Sequence, residues 1–420
     1  MSLAEIVRTD VQASSAPPQA RHPGRVLIIV ENLPVPFDRR VWSEATTLRL
    51  AGHEVSVICP FGPDATAAHE VIDGIHIYRH PLPLEAKGKL GYLLEYASAL
   101  FWEFRLSLKV RRQRGFDVIQ ACNPPDLIVL VAAVHRLFFG TRFIFDHHDL
   151  NPELFEAKFG KRGPFWHLLV LMEKLTFAMA DMSIATNESY KAIAVSRGGM
   201  DPDNVAVVRS GPNLTRVRRL QPDPAWRKGR KHLVAYVGVI GRQEGIDLLL
   251  DSVRHIVATK GRTDIQFAIM GSGPEWDAVK AQSEAMGLAD YVTFAGRVDD
   301  HTLMTVLSTA DVCVNPDRPG VMNDKSTMNK IMEYMALGKP IVQYDLTEGR
   351  VSAGIASLYA RNTDTADFGD LIVALMDDPA LRARMGDFGE RRVREVLSWP
   401  HEAPKLVAAY DRVLAPRNKG

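Results

Sequence analysis

The sequence has few cysteines, no excess of charge of either sign and no long apolar run. Its 420 residues include three cysteines, Cys59, Cys122 and Cys313, which lie far apart. This spacing forms neither a disulfide framework nor a zinc site, and it predicts a reducing cytoplasmic compartment. Lys and Arg number 51 against 50 Asp and Glu, a net charge of +1, which gives no overall field for nucleic acid. No apolar run reaches the ~18 residues that a membrane-spanning helix needs.

What is present is a composition typical of a soluble globular chain, with 46% hydrophobic and 24% charged residues. At ~150 residues per domain the length predicts two to three domains. Residues 1–24 are rich in Ser, Ala, Pro and Gln and lack an apolar core of signal-peptide length. We therefore expect a flexible tail there and no export.

Short apolar, β-branched runs alternate with segments of helical periodicity, and this series occurs twice. It begins at Arg25–Val30, continues with a helix over 38–51 that stops at Gly52, and restarts at 233–238. Such alternation predicts a parallel sheet covered by helices on both faces. We therefore predict two tandem doubly wound α/β domains that face a cleft, with ligands at the carboxyl ends of the strands.

The change in amino-acid composition between the two series sets the predicted domain boundaries. The segment between them is polar, basic and contains prolines. We predict a tail, an N-terminal Rossmann-like domain, a linker, a C-terminal Rossmann-like domain, and a C-terminal helix crossing back toward the first domain, over residues 1–24, 25–212, 213–231, 232–395 and 396–420.

The loop after the first strand, 31–40, lacks the Gly-x-Gly-x-x-Gly of a dinucleotide site and is stiffened by two prolines. Asp38 is placed to cap the following helix. Arg39 and Arg40 are placed either to contact an anionic ligand or to lie in a solvated first turn of that helix. The loop either contributes to a site or only turns the chain.

Imidazoles and carboxylates are dense in Phe145–Glu153, directly after another predicted strand. Such groups are costly to bury without a function, which favours substrate contact or acid–base chemistry over a structural hydrogen-bonding role. Adjacent His147 and His148 on an extended chain point to opposite sides, which disfavours one shared metal ion. The Asp-x-Asp pattern at Asp201 and Asp203 is expected to lie in a turn.

Two loops of the second half suit phosphate. Gly271–Glu275 is a glycine turn between a strand and a helix, where the backbone can approach a ligand. The polar loop before Gly338 opens a helix at about Thr327, whose free N–H groups can hold a diphosphate. Glu333, about two turns in, can accept hydrogen bonds from ribose hydroxyls, unless the helix is simply exposed and carries one Glu.

In this order the motifs resemble glycosyltransferase family 4, the group 1 transferases with the GT-B fold. The resemblance extends over roughly 25–414 and is carried by Phe37–Trp42, Ala51–Pro60, Asp146–Asp149, Gly271–Pro274, Phe294–Val298, Asn329–Met335, Gly338–Val342 and Ser398–Trp399. It implies retaining transfer of a hexosyl or N-acetylhexosaminyl group from a nucleotide-sugar to a saccharide acceptor in polysaccharide or glycolipid assembly, with no cofactor and no essential metal.

The resemblance also implies that the N-terminal domain, 25–212, lies on the acceptor side and that the C-terminal domain, 232–395, binds the nucleotide-sugar. It implies roles for particular residues as well. His148 matches the histidine whose carbonyl or ring contacts the transferred sugar. The donor-binding positions are Gly238, Gly271, Gly273, Gly296, Arg297, Val298, Ser326, Thr327, Met328, Asn329 and Glu333. The acceptor-side positions are Pro36, Phe37, Asp38, Arg39 and Asp149.

The chain departs from the family pattern where a basic or acidic residue is usual. Lys325 stands where the family has Glu, and Val239 and Glu244 stand where it has Arg and Lys. A leaving diphosphate still needs positive charge as the glycosidic bond breaks. We therefore predict Arg242 and Lys325 as catalytic cations.

Residues 87–114 are aromatic and end in a basic cluster. They form either a core helix with a solvated basic end or a helix lying on an anionic bilayer. The second alternative implies a lipid-linked acceptor and a peripheral position on the inner face of the cytoplasmic membrane. A sugar-nucleotide epimerase on the same fold and a catalytically silent GT-B scaffold subunit are the alternatives to a transferase.

Overall fold

A computed structural model describes residues 17–62, 65–81, 88–124 and 126–416, with only the backbone for 88–96 and for Lys158. The chain divides into two compact units. Unit 1 contains the described residues up to Ser210 together with those from Trp399 onward, and unit 2 comprises Gly211–Ser398. Each unit has one predominantly parallel sheet with helices packed on it, as predicted.

Unit 1 is built on an eight-stranded sheet. Its strands are β1 (Arg25–Val30), β2 (Glu54–Pro60), β3 (His69–Ile72), β4 (Ile75–His80), β5 (Val118–Cys122), β6 (Arg142–His147), β7 (Met182–Ala185) and β8 (Val205–Val207), in the order β3-β4-β2-β1-β5-β6-β7-β8. All neighbours are parallel except β3 and β4. The antiparallel edge strand β3 was not predicted, because its residues alternate between exposed and half-buried and so lack an apolar run.

The helices of the first series are α1 (Arg39–Leu50), α2 (Gly88–Gln113), α3 (Val129–Phe139), α4 (Asn151–Phe159), α5 (Pro164–Met179) and α6 (Glu188–Ser196). Asp38 caps α1 as predicted, since its carboxylate accepts from the Val41 N–H at 3.0 Å. Side chains alternate along β1, so Ile28 packs in the core that includes α1, while Leu27 packs with α2, α3, α5 and α6 on the other face.

Unit 2 has six parallel strands, β9 (His232–Val237), β10 (Ile265–Met270), β11 (Val292–Gly296), β12 (Val312–Asn315), β13 (Ile341–Tyr344) and β14 (Ser357–Ala360), in the order β11-β10-β9-β12-β13-β14. Its helices are α7 (Ile246–Arg254), α8 (Trp276–Ala285), α9 (Asp300–Thr309), α10 (Val321–Lys325), α11 (Asn329–Ala336), α12 (Thr347–Ala353), α13 (Thr365–Asp377) and α14 (Pro379–Arg392). The predicted polar loop before α11 therefore contains the short helix α10, and α11 starts two residues later than expected.

Two connecting segments are more firmly held than predicted. Within the predicted flexible tail, residues 1–16 lie outside the described part, but the Arg21 and His22 N–H groups donate to Asp411 at 2.7 and 3.0 Å. Within the predicted linker, Arg227 pairs with Asp311 at 2.6 Å. Hydrogen bonds and ion pairs of this kind fix both segments to their own units.

The chain ends with α15 (Trp399–Leu414), which packs on α1 in unit 1. Leu406 and Tyr410 of α15 are fully buried in the core that includes α1. Among the helices the structure describes, none is both long enough and apolar enough to cross a bilayer.

Candidate functional site

A buried polar cluster in unit 1 lies at the carboxyl ends of β5 and β6, beside the start of α1. Arg40 Nη2 lies 2.8 Å from Asp146 Oδ1 and 3.1 Å from Glu44 Oε1. Arg40 Nη1 also donates to the Val208 carbonyl at 2.9 Å and to the Ser210 hydroxyl at 3.1 Å. Both carboxylates are fully buried, so the guanidinium supplies the counter-charge that buried acids require.

These groups shift one another's pKa values. Burial alone would raise the pKa of Asp146, but Arg40 and His148 outweigh it and lower that pKa. Burial and then the Asp146 charge raise the pKa of Glu44. Burial opposes charge on His148, yet Asp146, 2.6 Å from His148 Nε2, outweighs it and raises the pKa of the ring. Gln120 Nε2 donates to Glu44 at 2.6 Å and to Asp146 at 3.0 Å, so the cluster is one connected network.

The same cluster contains the atoms that could hold a metal ion. One ligand atom each of Glu44, Cys122, Asp146 and His148 lies within 4.8 Å of the others. Arg40, however, already contacts both carboxylates, and burial with the neighbouring acids raises the pKa of the Cys122 thiol well above its usual value. A guanidinium as counter-ion and a protonated thiol disfavour a cation, so the absence of an essential metal stays our prediction.

The two adjacent histidines have different surroundings, as their extended backbone predicted. The His147 ring is buried between Phe177 and Tyr190, with centroid distances of 5.2 and 5.0 Å. His148 instead points into the polar cluster, and its backbone N–H donates to Asn123 Oδ1 at 2.6 Å. His147 is therefore a core residue, and only His148 belongs to the site.

The structure separates the predicted acceptor-side residues into buried and exposed ones. Asp38 is buried as the cap of α1, and Asp149 and Pro36 are half-buried. Phe37 and Arg39 are exposed. Arg39 was the arginine we assigned to the site, whereas its neighbour Arg40 is the one in the cluster. The sequence signal for Arg40 is its i,i+4 spacing to Glu44 on the same helix, together with the unusual choice of Gln120 and Asp146 inside apolar strands.

In unit 2 the predicted glycines follow neighbouring strands β9, β10 and β11. Gly238 (φ +157°) and Gly271 (φ +139°) adopt backbone conformations that favour glycine, and a Cβ on Gly271 would lie 1.8 Å from the Gly238 carbonyl oxygen. A Cβ on Gly273 would lie 2.4 Å from the Ile240 carbonyl oxygen. The two loops are therefore in close contact and leave backbone, without side chains, at this edge of the sheet.

Glu333 lies on α11 at the same edge and forms an ion pair with Arg216. Arg216 also lies 3.2 Å from Asp300. The Glu333 carboxylate is thus positioned by a residue of the segment that we predicted to be a linker. This pairing could not be predicted, because Arg216 lies far from Glu333 in the sequence.

Lys330, in the first turn of α11, provides positive charge that we did not assign to the site. Its Nζ lies 2.8 Å from Asp317 Oδ1 and 4.9 Å from the centre of the Tyr236 ring. A Cβ at Gly238 would lie 3.5 Å from the same Nζ, so the ammonium faces the loop after β9. Burial and the Asp317 charge raise the pKa of the nearby Glu244, and Lys330 lowers it. Lys330 is thus close to the position where Glu244 replaces the family's lysine.

The other predicted site residues of unit 2 are all exposed or half-buried. Arg242 is exposed, and Lys325 is half-buried at the end of α10. The remaining donor-binding positions comprise the glycine at the end of β11, two residues after it, and the residues around the start of α11, namely Gly296, Arg297, Val298, Ser326, Thr327, Met328 and Asn329. Of these, Arg297 and Asn329 are exposed and the others are half-buried.

Comparison with known families places this architecture. Residues 38–216 match Glycosyltransferase Family 4, and residues 231–378 match Glycosyl transferases group 1. The two matched ranges together cover well over half of the chain. The chain belongs to the group 1 glycosyltransferases of family 4. The resemblance inferred from its motifs is thereby confirmed, and the chain is a glycosyltransferase.

Individual relatives of this group 1 glycosyltransferase are themselves named as sugar transferases. It is 26% identical to a phosphatidyl-myo-inositol mannosyltransferase of Mycobacterium leprae, over 89% of this chain and 92% of the relative. It is also 26% identical to an alpha-D-kanosaminyltransferase of Streptomyces kanamyceticus, over 73% and 80%.

Solved structures confirm the GT-B fold. Sucrose-phosphate synthase of Thermosynechococcus elongatus superposes with a TM-score of 0.75 at 19% identity, over 93% of this chain and 99% of that one. Anabaena Alr3699/HepE in complex with UDP-glucose gives 0.68 at 14% identity, over 92% and 99%.

Proposed function

We propose that this glycosyltransferase moves a hexosyl or N-acetylhexosaminyl group, with retention of configuration, from a nucleotide-sugar to a lipid-linked saccharide in polysaccharide or glycolipid assembly. The observation that carries the donor half of the proposal is the edge of the unit 2 sheet. There, the glycines of two loops, the N-terminus of α11, Lys330 and Glu333 lie at one end of neighbouring strands. This combination suits a diphosphate and a ribose.

In the proposed reaction the bond between the sugar C1 and the diphosphate oxygen breaks as a bond from C1 to the acceptor hydroxyl oxygen forms, and the proton of that hydroxyl passes to the departing diphosphate. The departing diphosphate gains negative charge, which a nearby cation stabilises. Lys330 faces the Gly238 loop, so we add it to Arg242 and Lys325 as a candidate for this role. Arg216 would hold the Glu333 carboxylate in place for the ribose hydroxyls.

The acceptor half of the proposal rests on the name of one relative and on the polar cluster of unit 1. The Mycobacterium leprae relative is named for mannosyl transfer to a phosphatidylinositol, which favours a lipid-linked acceptor here. The network of Arg40, Asp146 and His148 would fix the loop that contacts the transferred sugar. His148 Nε2 already contacts Asp146. The proposed contact with the transferred sugar therefore uses the backbone carbonyl or the other ring atoms of His148.

Thermal unfolding of the full chain with UDP-, GDP- and dTDP-sugars tests the donor site. A ligand that binds the folded chain and not the unfolded one raises the melting temperature, and the rise grows with the logarithm of the ligand concentration relative to its dissociation constant. We expect one nucleotide to raise it, and we expect the shift to shrink in Glu333→Gln but not in Glu284→Gln, which changes an exposed glutamate on α8. If no nucleotide-sugar stabilises the chain, or if both variants respond as the wild type does, the donor site is misassigned.

A further inference from the structure

Unit 1 presents an apolar outer face on three helices. α2, α3 and α5 lie on one face of the sheet, where Val110, Ala132 and Phe177 belong to the same core, and α3 contacts both of the other helices. Large apolar side chains nevertheless point outward from all three: Phe101, Leu130, Leu137, Phe138, Phe139, Phe165, Leu168, Leu171 and Leu175. We call these nine residues the outer apolar face. Patches of this kind mark interaction sites.

Two groups on this face show how exposed it is. Leu137 is 79% exposed and Phe138 is 70% exposed, at the end of α3. On α5, Leu168, Leu171 and Leu175 are spaced by three and four residues, so they form one stripe along the helix. Neither group is needed to fill the core beneath, which Phe177 and its neighbours already occupy.

The exposed charged side chains on the three helices of the outer apolar face are of one sign in the part of the chain that the structure describes. Among the described side chains of α2, α3 and α5, the acidic ones are Glu103 and Glu173, and both are buried. The exposed charged ones are all basic: Arg105, Lys109, Arg112 and Lys174. Helices that present exposed apolar side chains together with exposed basic ones complement an anionic bilayer.

A groove between α2 and α3 opens within this face. It has a volume of about 340 Å³ and is lined by apolar side chains, among them Leu100, Phe104, Leu130 and Val134. A groove lined in this way offers room for a hydrocarbon chain rather than for a polar ligand. It therefore fits the same partner as the charges do.

We infer that the outer apolar face of α2, α3 and α5 docks the protein on an anionic lipid bilayer. The contact extends beyond the 87–114 segment, since α3 and α5 supply most of its exposed apolar side chains. The inference does not depend on the proposed transfer reaction, because lipid binding can be measured without a donor or an acceptor.

Co-sedimentation of the full chain with vesicles tests the inference. We expect binding to phosphatidylcholine vesicles that contain phosphatidylglycerol, weak binding to phosphatidylcholine alone, and loss of binding as salt is raised. The double variants L137S/F138S and L171S/L175S should each weaken the vesicle affinity at least tenfold. Lys174→Ala should weaken it about fivefold, the share of one basic residue at an anionic surface.

The matched control is I355S/V396S, which removes two exposed apolar side chains from unit 2 and should bind as the wild type does. Melting temperatures establish that each variant is folded. The inference is overturned if the wild type does not sediment with the anionic vesicles, or if both unit 1 double variants bind like the control. It is also overturned if sedimentation velocity shows that the wild type is a dimer and that the double variants are monomers, since the face would then bind a second copy of the chain.

Discussion

At the residue scale, the chain lacks two cations that are usual in its family, and we propose that basic side chains from other positions take their place. Glu244 and Val239 remove two expected basic side chains, and sequence spacing alone pointed to Arg242 and Lys325. The structure adds Lys330, because α11 begins at Asn329 and its first turn carries that side chain to the Gly238 loop. Such a contact depends on where a helix starts, which periodicity fixes only to within a few residues.

Neutralising Lys330 should slow glycosyl transfer, because the leaving diphosphate would lose a cation. We expect Lys330→Gln to cost about 2–4 kcal/mol of transition-state stabilisation, roughly 30- to 1000-fold in turnover. The K330Q/D317N double variant, which leaves no unpaired buried acid, separates this effect from lost stability. Turnover in the two Lys330 variants should be compared with that in Arg242→Ala and Lys325→Ala. If the latter two both retain near-normal turnover, Arg242 and Lys325 are not catalytic, and the same result for K330Q/D317N would exclude Lys330.

Removing the guanidinium from the unit 1 cluster should destabilise the fold. Arg40→Met takes the guanidinium away from the buried carboxyl groups of Asp146 and Glu44 and leaves His148 as the remaining cationic neighbour of Asp146. Breaking a buried pair costs about 3–5 kcal/mol. The exposed neighbour supplies the control, since Arg39→Ala should change the free energy of unfolding by less than about 0.5 kcal/mol. Urea unfolding of both variants measures the difference. Equal stabilities would mean that Arg40 does not hold the cluster together.

At the scale of elements, the sequence predicted the strands and helices well and their surfaces poorly. Strands such as β7 were predicted to the residue, because each is an apolar run buried on both faces. The α3 and α5 parts of the outer apolar face were not predicted, because an apolar residue on either helix has the same periodic pattern whether it faces the core or solvent. Only the packing of Phe177 and Ala132 beneath it distinguishes the two.

His135 lies on α3 and contacts α2, and its surroundings predict how folding stability changes with pH. Its Nδ1 accepts from Arg111 Nε at 3.1 Å, and its Nε2 lies 2.9 Å from Ser107 Oγ. Burial, reinforced by Arg111, lowers the pKa of His135 to about 4. The unfolded chain binds this proton at its ordinary pKa of ~6.5 and the folded chain does not, so folding stability is lost as pH falls from about 6.5 to about 4.

Melting temperatures recorded across this pH window measure the effect. His135→Gln should give a shallower loss on acidification than the wild type, whereas His301→Gln, which changes an exposed histidine on α9, should keep the wild-type slope. A wild-type slope in His135→Gln would show that this ring binds its proton equally well in the folded and unfolded chains, which would contradict the lowered pKa.

At the scale of the whole molecule, two α/β units could be predicted because the strand–helix series restarts after 231. The sequence could not predict how firmly the intervening segment is held, since Arg227 and Arg216 find partners far away along the chain. The features that we propose for the donor belong to unit 2, and the polar cluster that we propose for the acceptor half belongs to unit 1. A group 1 glycosyltransferase with this organisation should therefore transfer a sugar only when both units are intact.

Transfer itself is the most direct test of the account. The full chain is incubated with the radiolabelled nucleotide-sugar that stabilises it and with lipid-linked saccharides extracted from membranes, and label in the lipid fraction is counted beside the nucleoside diphosphate released. We predict equal amounts of transferred sugar and released diphosphate, an unchanged anomeric configuration in the product, and large losses in K330Q/D317N and Glu333→Gln. Release of diphosphate without labelled lipid, or a product of inverted configuration, would contradict the proposed function.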